Sequence, residues 1–201
     1  MSLAGSLNSE QLIYKEKTMR RIATLLCALA LVSTRAREAQ AQDILISDNL
    51  LAVTTDTEAA SGGSWLTASF ATDDATYTLT SVTLLLANPS EGQARLDLYS
   101  DGSLEPGSLI GTLSPPDIYS ATLAETIFSA TDITLSPNST YWIVLSADSG
   151  EFDWAWTSDN SGSGIGFQHT WGQSDDAGVS WFTYDTYPTQ FSVTATLVPG
   201  P

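Results

Sequence analysis

Cysteine is almost missing from this sequence: Cys27 is the only one in 201 residues. A single thiol cannot build an intramolecular disulfide framework or a thiolate zinc cluster. Cys27 also sits in the middle of an apolar run, behind Leu26, where a lipid-attachment cysteine would follow a small residue at the end of the run. Histidine is equally scarce, with His169 alone in the chain. A lone His without cysteine does not supply the usual zinc ligand set. Positive charge is the third shortage. There are 7 Lys and Arg against 23 Asp and Glu, for a formal charge of -16. Lys15, Lys17, Arg20, Arg21, Arg35 and Arg37 all precede residue 42, so Arg95 faces twenty acids alone in the remainder. Such a surface repels nucleic acid, whose binding needs cations to displace counterions from phosphate. It repels anionic lipid headgroups for the same reason. Helical periodicity is missing too: beyond residue 42 no window sustains apolar residues at three-and-four spacing.

What is present begins with a leader. "MRRIATLLCALALVSTRAREAQAQD" opens at Met19 with Arg20 and Arg21, continues with the apolar run Ile22 to Val32, and reaches Ala39-Gln40-Ala41. That order reads as a secretory signal peptide with cleavage after Ala41. The run is shorter than the roughly 20 residues a membrane-spanning helix needs. Residues 1–18 then lie upstream of the natural start at Met19. The expectation is an exported protein whose domain occupies 42–201, with no transmembrane segment.

Residues 42–201 read as one all-β domain. Thr and Ser are abundant, and Gly, Pro, Asn and Asp clusters punctuate the chain about every ten residues. Strands are expected at 64–70, 77–87, 94–100, 108–113, 125–130, 132–135, 140–147, 152–157, 164–171, 180–184 and 190–198. In "YTLTSVTLLLA" the apolar phase changes near Ser81, from Tyr77 and Leu79 to Val82, Leu84 and Leu86, which signals a β-bulge. "ARLDLYS" places Ala94, Leu96 and Leu98 inward and Arg95, Asp97 and Tyr99 outward. About ten such strands fit a jelly-roll-like, two-sheet antiparallel β-sandwich.

Three motifs bear on chemistry. Ser174, Asp176, Gly178 and Trp181 fit the spacing S-x-D-x-G-x-x-W. This resembles the Asp-box, a structural turn: Asp176 bonds backbone amides, Gly178 supplies positive φ, and Trp181 returns into the core. The acidic pairs Asp73-Asp74 and Asp175-Asp176 could help hold a structural Ca²⁺, although no complete calcium-loop motif accompanies them. No other cofactor or metal is implied. No G-x-S-x-G strand–helix signal accompanies His169, and a pair among twenty carboxylates says little, so the residues assemble no catalytic constellation. A glycan-active hydrolase is the remote alternative. Asn138-Ser139-Thr140 matches a glycosylation acceptor but reads as a turn.

The aromatics are concentrated late. In "GEFDWAWTSDN", Phe152, Trp154 and Trp156 occupy alternate positions and so share one face of a strand. Inward is the better reading, because the other face would offer only Asp153 and Ala155 to a core, with one Trp reaching the rim. The alternative sets Trp154, Trp156 and Trp171 on an exposed platform that stacks sugars.

The mature segment as a whole resembles a known group. "SDNLLAVTTDTEAASGGSWLTASFATDDATYTLTSVTLLLANPSEGQARLDLYSDGSLEPGSLIGTL", with "LSPNSTYWIVLSADSGEFDWAWTSDNSGSGIGFQHTWGQSDDAGVSWF", is similar to the choice-of-anchor domains, most closely the R type. The resemblance runs over roughly Ile44 to Leu197. It implies an exported bacterial surface or extracellular-matrix domain, a β-rich fold and no enzymatic residues. Its partners would be extracellular polysaccharide or surface proteins. "TATLVPGP" is similar to the Val-Pro-Glu-Pro start of a PEP-CTERM sorting signal, with Gly200 in place of Glu, so 198–201 is expected to be a remnant of an anchor region that is lost or truncated.

Overall fold

The structure, a computed structural model, describes residues 42–200. The leader reading, from Met19 to Ala41, and Pro201 of the anchor remnant lie outside the described residues.

Thirteen strands account for the fold: β1 Asp43–Asp48, β2 Thr54–Ala60, β3 Trp65–Ala71, β4 Tyr77–Ala87, β5 Gln93–Asp101, β6 Pro106–Leu113, β7 Ala124–Ser129, β8 Thr134–Leu135, β9 Thr140–Ser149, β10 Phe152–Thr157, β11 Phe167–Ser174, β12 Phe182–Tyr184 and β13 Phe191–Leu197. They form two antiparallel sheets that do not close into a barrel. The first has the order β1-β13-β4-β10-β2, with β7 and β8 also paired to β4. The second has the order β12-β11-β3-β9-β5-β6. Successive strands cross repeatedly from one sheet to the other, which is the jelly-roll-like element of the sandwich.

The core lies between the sheets. Leu79, Val82, Leu84, Leu86, Phe152, Trp154, Phe191 and Val193 come from the first sheet and Leu66, Phe70, Leu96, Leu98, Ile143 and Leu145 from the second. The phase change in β4 is a real bulge. Ser81 pairs with Thr194 and Leu79 with Ala195, so Thr80 is the extra residue. Its hydroxyl donates to the Thr194 carbonyl at 2.9 Å.

Strands β1 and β2 escaped the sequence pattern. β2, "TTDTEAA", has no large apolar residue and lies at a sheet end, where one ladder suffices. β1 carries its own register break between Leu45 and Ser47, which disrupts the alternation of Ile44, Leu45 and Ile46.

Two outward faces are drier than alternation predicts. Asp97 points away from the core as expected, yet it is 2% exposed. It accepts from Arg95 Nε at 2.7 Å and from the Thr112 hydroxyl at 2.5 Å, so its neighbours take the place of water. Ala155 and Thr157, on the face of β10 opposite Phe152 and Trp154, are buried as well. The loop before β2 reaches Thr157, whose hydroxyl donates to the Val53 carbonyl at 2.9 Å. On the other side the Gln190 N–H donates to the Ala155 carbonyl.

Candidate functional site

Bulk settles the first of the three candidate tryptophans. Trp154 is fully buried, and its indole N–H donates to the Gln190 carbonyl at 2.9 Å. It belongs to the core and cannot stack a ligand, which corrects its place on the sugar platform. Phe152 is buried beside it. Trp156, two residues further along the same strand, is only half-buried: the β4 ladder that flanks β10 ends at Trp154, and the β10–β2 register breaks just after Trp156.

Trp156 and Trp171 are joined by one short segment. Trp156 packs edge to face on Tyr187, with centroids 5.6 Å apart and planes at 66°. Trp171 stacks on Tyr184 at 4.9 Å and 29°, a pair set up by the β11–β12 register. The Trp171 indole N–H donates to the Thr186 carbonyl at 2.7 Å, between the two tyrosines in sequence. Tyr187, at φ 61°, donates its N–H to Asn160 Oδ1 at 3.0 Å. The Thr157 N–H holds the Pro188 carbonyl at 3.0 Å. Segment 184–188 is therefore fastened at several points, and the rings on it are held before any ligand arrives.

The result is an aromatic ledge. Tyr184 is 40%, Tyr187 52% and Phe182 59% exposed. Trp156 and Trp171 support it, Trp171 packing its inner side against the core. The three exposed rings were missed in the sequence, where "SWFTYDTYP" read as a strand and a loop. The available signal was the density of aromatics on an edge strand too short to bury them. The side chains near the ledge that carry charge are acidic. Asp185 is exposed. Asp159 has its carboxyl held below the ordinary range by the Ser161 N–H and hydroxyl. Such a surface disfavours anionic ligands.

The S-x-D-x-G-x-x-W segment links β11 to β12. Asp176 accepts from the Ser180 N–H at 2.9 Å, the Ser180 hydroxyl at 2.6 Å and the Ser174 hydroxyl at 2.7 Å. These donors pull its pKa down to about 2, the Ser180 hydroxyl contributing most. The Gly178 N–H reaches Ser174 Oγ at 2.9 Å, and Gly178 has φ 83°. A Cβ there would lie 2.6 Å from the Trp65 ring. The aromatic beneath the turn is thus Trp65. Trp181 is half-buried and outside the core cluster, a correction that follows from its place just before the edge strand β12.

We expect Asp176→Ala to lower the melting temperature at neutral pH. The deficit should shrink as pH falls from about 3.8, the unperturbed value, through about 2, because a carboxylate with a depressed pKa gives its stabilisation only while ionised. Paired thermal melts across that window check it, and a pH-independent deficit would refute it.

One member of each acidic pair is engaged locally, Asp176 in its own turn and Asp73 in the turn before β4. Asp73 Oδ1 accepts from the Ala75 N–H at 3.0 Å and the Tyr77 hydroxyl at 2.8 Å. Among the described residues no group of three or more His, Cys, Asp or Glu is placed to hold a metal. His169 is exposed on β11. Asn138, at φ 49°, lies in the turn before β9. No helix among the described residues is long and apolar enough to cross a membrane.

Neither the known family models nor the curated proteins contain a match to the chain.

Proposed function

We propose that the protein is an exported, non-catalytic β-sandwich domain of a bacterial cell surface or extracellular matrix, of the choice-of-anchor kind. Its leader and its resemblance over Ile44 to Leu197 support export. The disposition of its side chains supports binding over turnover. Asp97 and Asp176 spend their oxygens on internal hydrogen bonds, while the groups offered to solvent around Trp156 are aromatic.

The ledge favours a more specific reading, a module for neutral extracellular polysaccharide. The observation that carries it is the pinned pair of contacts Trp156–Tyr187 and Trp171–Tyr184 beside exposed Phe182. Rigid rings lose little conformational entropy on binding. The negative surface disfavours anionic chains such as uronates.

Intrinsic tryptophan fluorescence, titrated with soluble neutral polysaccharides, tests this. Trp156 and Trp171 are the half-buried indoles of the ledge that should respond, whereas Trp154 should stay silent. Tyr187→Ala should weaken binding at least tenfold, about 1.4 kcal/mol, with a near-native melting curve. Emission that ignores every polysaccharide would remove the glycan reading and leave a surface domain that recognises protein.

A further inference from the structure

We infer a second, separate binding site on the outer face of the second sheet, sized for one neutral sugar ring. It does not depend on the aromatic ledge.

Three irregularities of the sheet converge there. The first is in β11. Phe167 pairs with Phe70 and Trp171 with Ala68, so Gln168, His169 and Thr170 span a gap that a regular strand crosses with one residue. The two surplus residues push that segment out of the ladder. The second is the β5–β6 hairpin, where Ser103 and Leu104 both have positive φ, 79° and 73°. Side chains seldom adopt that region, and two in succession are held only if something fixes them. Here Asp101 does so: it accepts the Ser103 N–H at 3.2 Å and the Leu104 N–H at 3.1 Å. The third is Trp142 of the central strand β9. It pairs with Tyr99 and Ser69 on the outer face, away from the core, and is 1% exposed. Its indole N–H donates to the same Asp101 at 2.9 Å. One carboxylate thus locks the floor to the hairpin wall.

Between these parts lies a cavity of about 240 Å³. Its walls are the displaced segment of β11 on one side and Leu104, 75% exposed, on the other. The volume is below the range of about 300–1,000 Å³ that takes drug-sized ligands. The groups around it are hydrogen-bonding side chains, Thr140, Gln168, His169 and Thr170, with apolar surface supplied by Leu104 and Phe167. Hydrogen-bonding side chains along one wall and the exposed Leu104 on the other match the hydroxyl edge and C–H face of a pyranose. Asp101, the carboxylate that lines the cavity, accepts three N–H donors.

Titration of the full chain with glucose, galactose and mannose, followed through the His169 ring and Trp142 indole NMR signals, tests the inference. At about 10 mM sugar, ten times a Kd of about 1 mM, one of the three should shift both signals saturably. His169→Ala and Gln168→Ala, both away from the core, should weaken that response at least fivefold. Tyr187→Ala should leave it intact, which distinguishes this site from the ledge. The inference is overturned if none of the sugars moves either signal. It is equally overturned if the response follows Tyr187→Ala, or if tetramethylammonium moves the signals where sugars do not.

Discussion

Trp154→Ala should destabilise the protein by about 3–5 kcal/mol, the usual range for deleting a buried aromatic. Trp154 is 0% exposed and packs in the centre of the core cluster, between Leu86, its register partner on β4, and the strands of the facing sheet. Its hydrogen bond contributes less than its bulk. The Gln190 carbonyl that receives the indole N–H also accepts the Leu85 N–H at 3.2 Å, so it keeps a partner after the substitution. Trp154→Phe should therefore recover most of the loss. Against a typical domain stability of about 5–15 kcal/mol, the Ala variant gives up a large share. Urea denaturation reads the difference as a lower midpoint at unchanged slope. A loss below about 1 kcal/mol would place Trp154 near solvent and restore it to the sugar platform. Trp156→Ala, two residues along, should behave in the opposite way, with modest loss of stability and clear loss of polysaccharide binding.

Arg95→Ala should cost about 1–3 kcal/mol, the penalty for stranding a buried charged acceptor. Arg95 is the only Lys or Arg beyond residue 41, and it is paired with Asp97, whose side chain is 3% exposed. The Arg side chain is itself 44% exposed, so the effect falls short of the 3–5 kcal/mol of a fully buried pair. After removal Asp97 keeps the Thr112 hydroxyl and loses its counter-charge. The double variant Arg95→Met with Asp97→Leu should lose less than Arg95→Ala alone, because no unpaired charge then remains inside. Chemical denaturation of the three proteins at fixed ionic strength checks the cycle. Equal losses for the single and double variants would show that the pair matters for packing and not for charge.

Much of the ladder was legible from alternation and turn chemistry. β4 and β10 have the boundaries expected from the sequence, and the bulge at Thr80 announced itself as a phase change between Leu79 and Val82. The turn around Asp176 was visible because its residues act locally, within a few positions of one another. β1 and β2 were not visible, since one is bulged and the other is polar on a sheet flank. The candidate sites were hardest to see. Trp156 and Trp171 could be named, but the segment that joins them, Tyr184 to Pro188, carried no signal by itself.

By itself the sequence determined the fold class, the acidic and thiol-free character of the domain, and the split of β10 into an apolar and a small-polar face. These follow from period-two patterning and composition, which are properties of neighbouring residues. The tertiary structure alone decided which tryptophans are wet. Phe152, Trp154 and Trp156 share one face of one strand, and the end of the β4 ladder at Trp154 separates core from rim. It alone also brought Asp101, Trp142 and Gln168 to Thr170 together from β5, β9 and β11. Contacts between strands so distant in sequence depend on sheet order, and strand order leaves no mark in a local pattern.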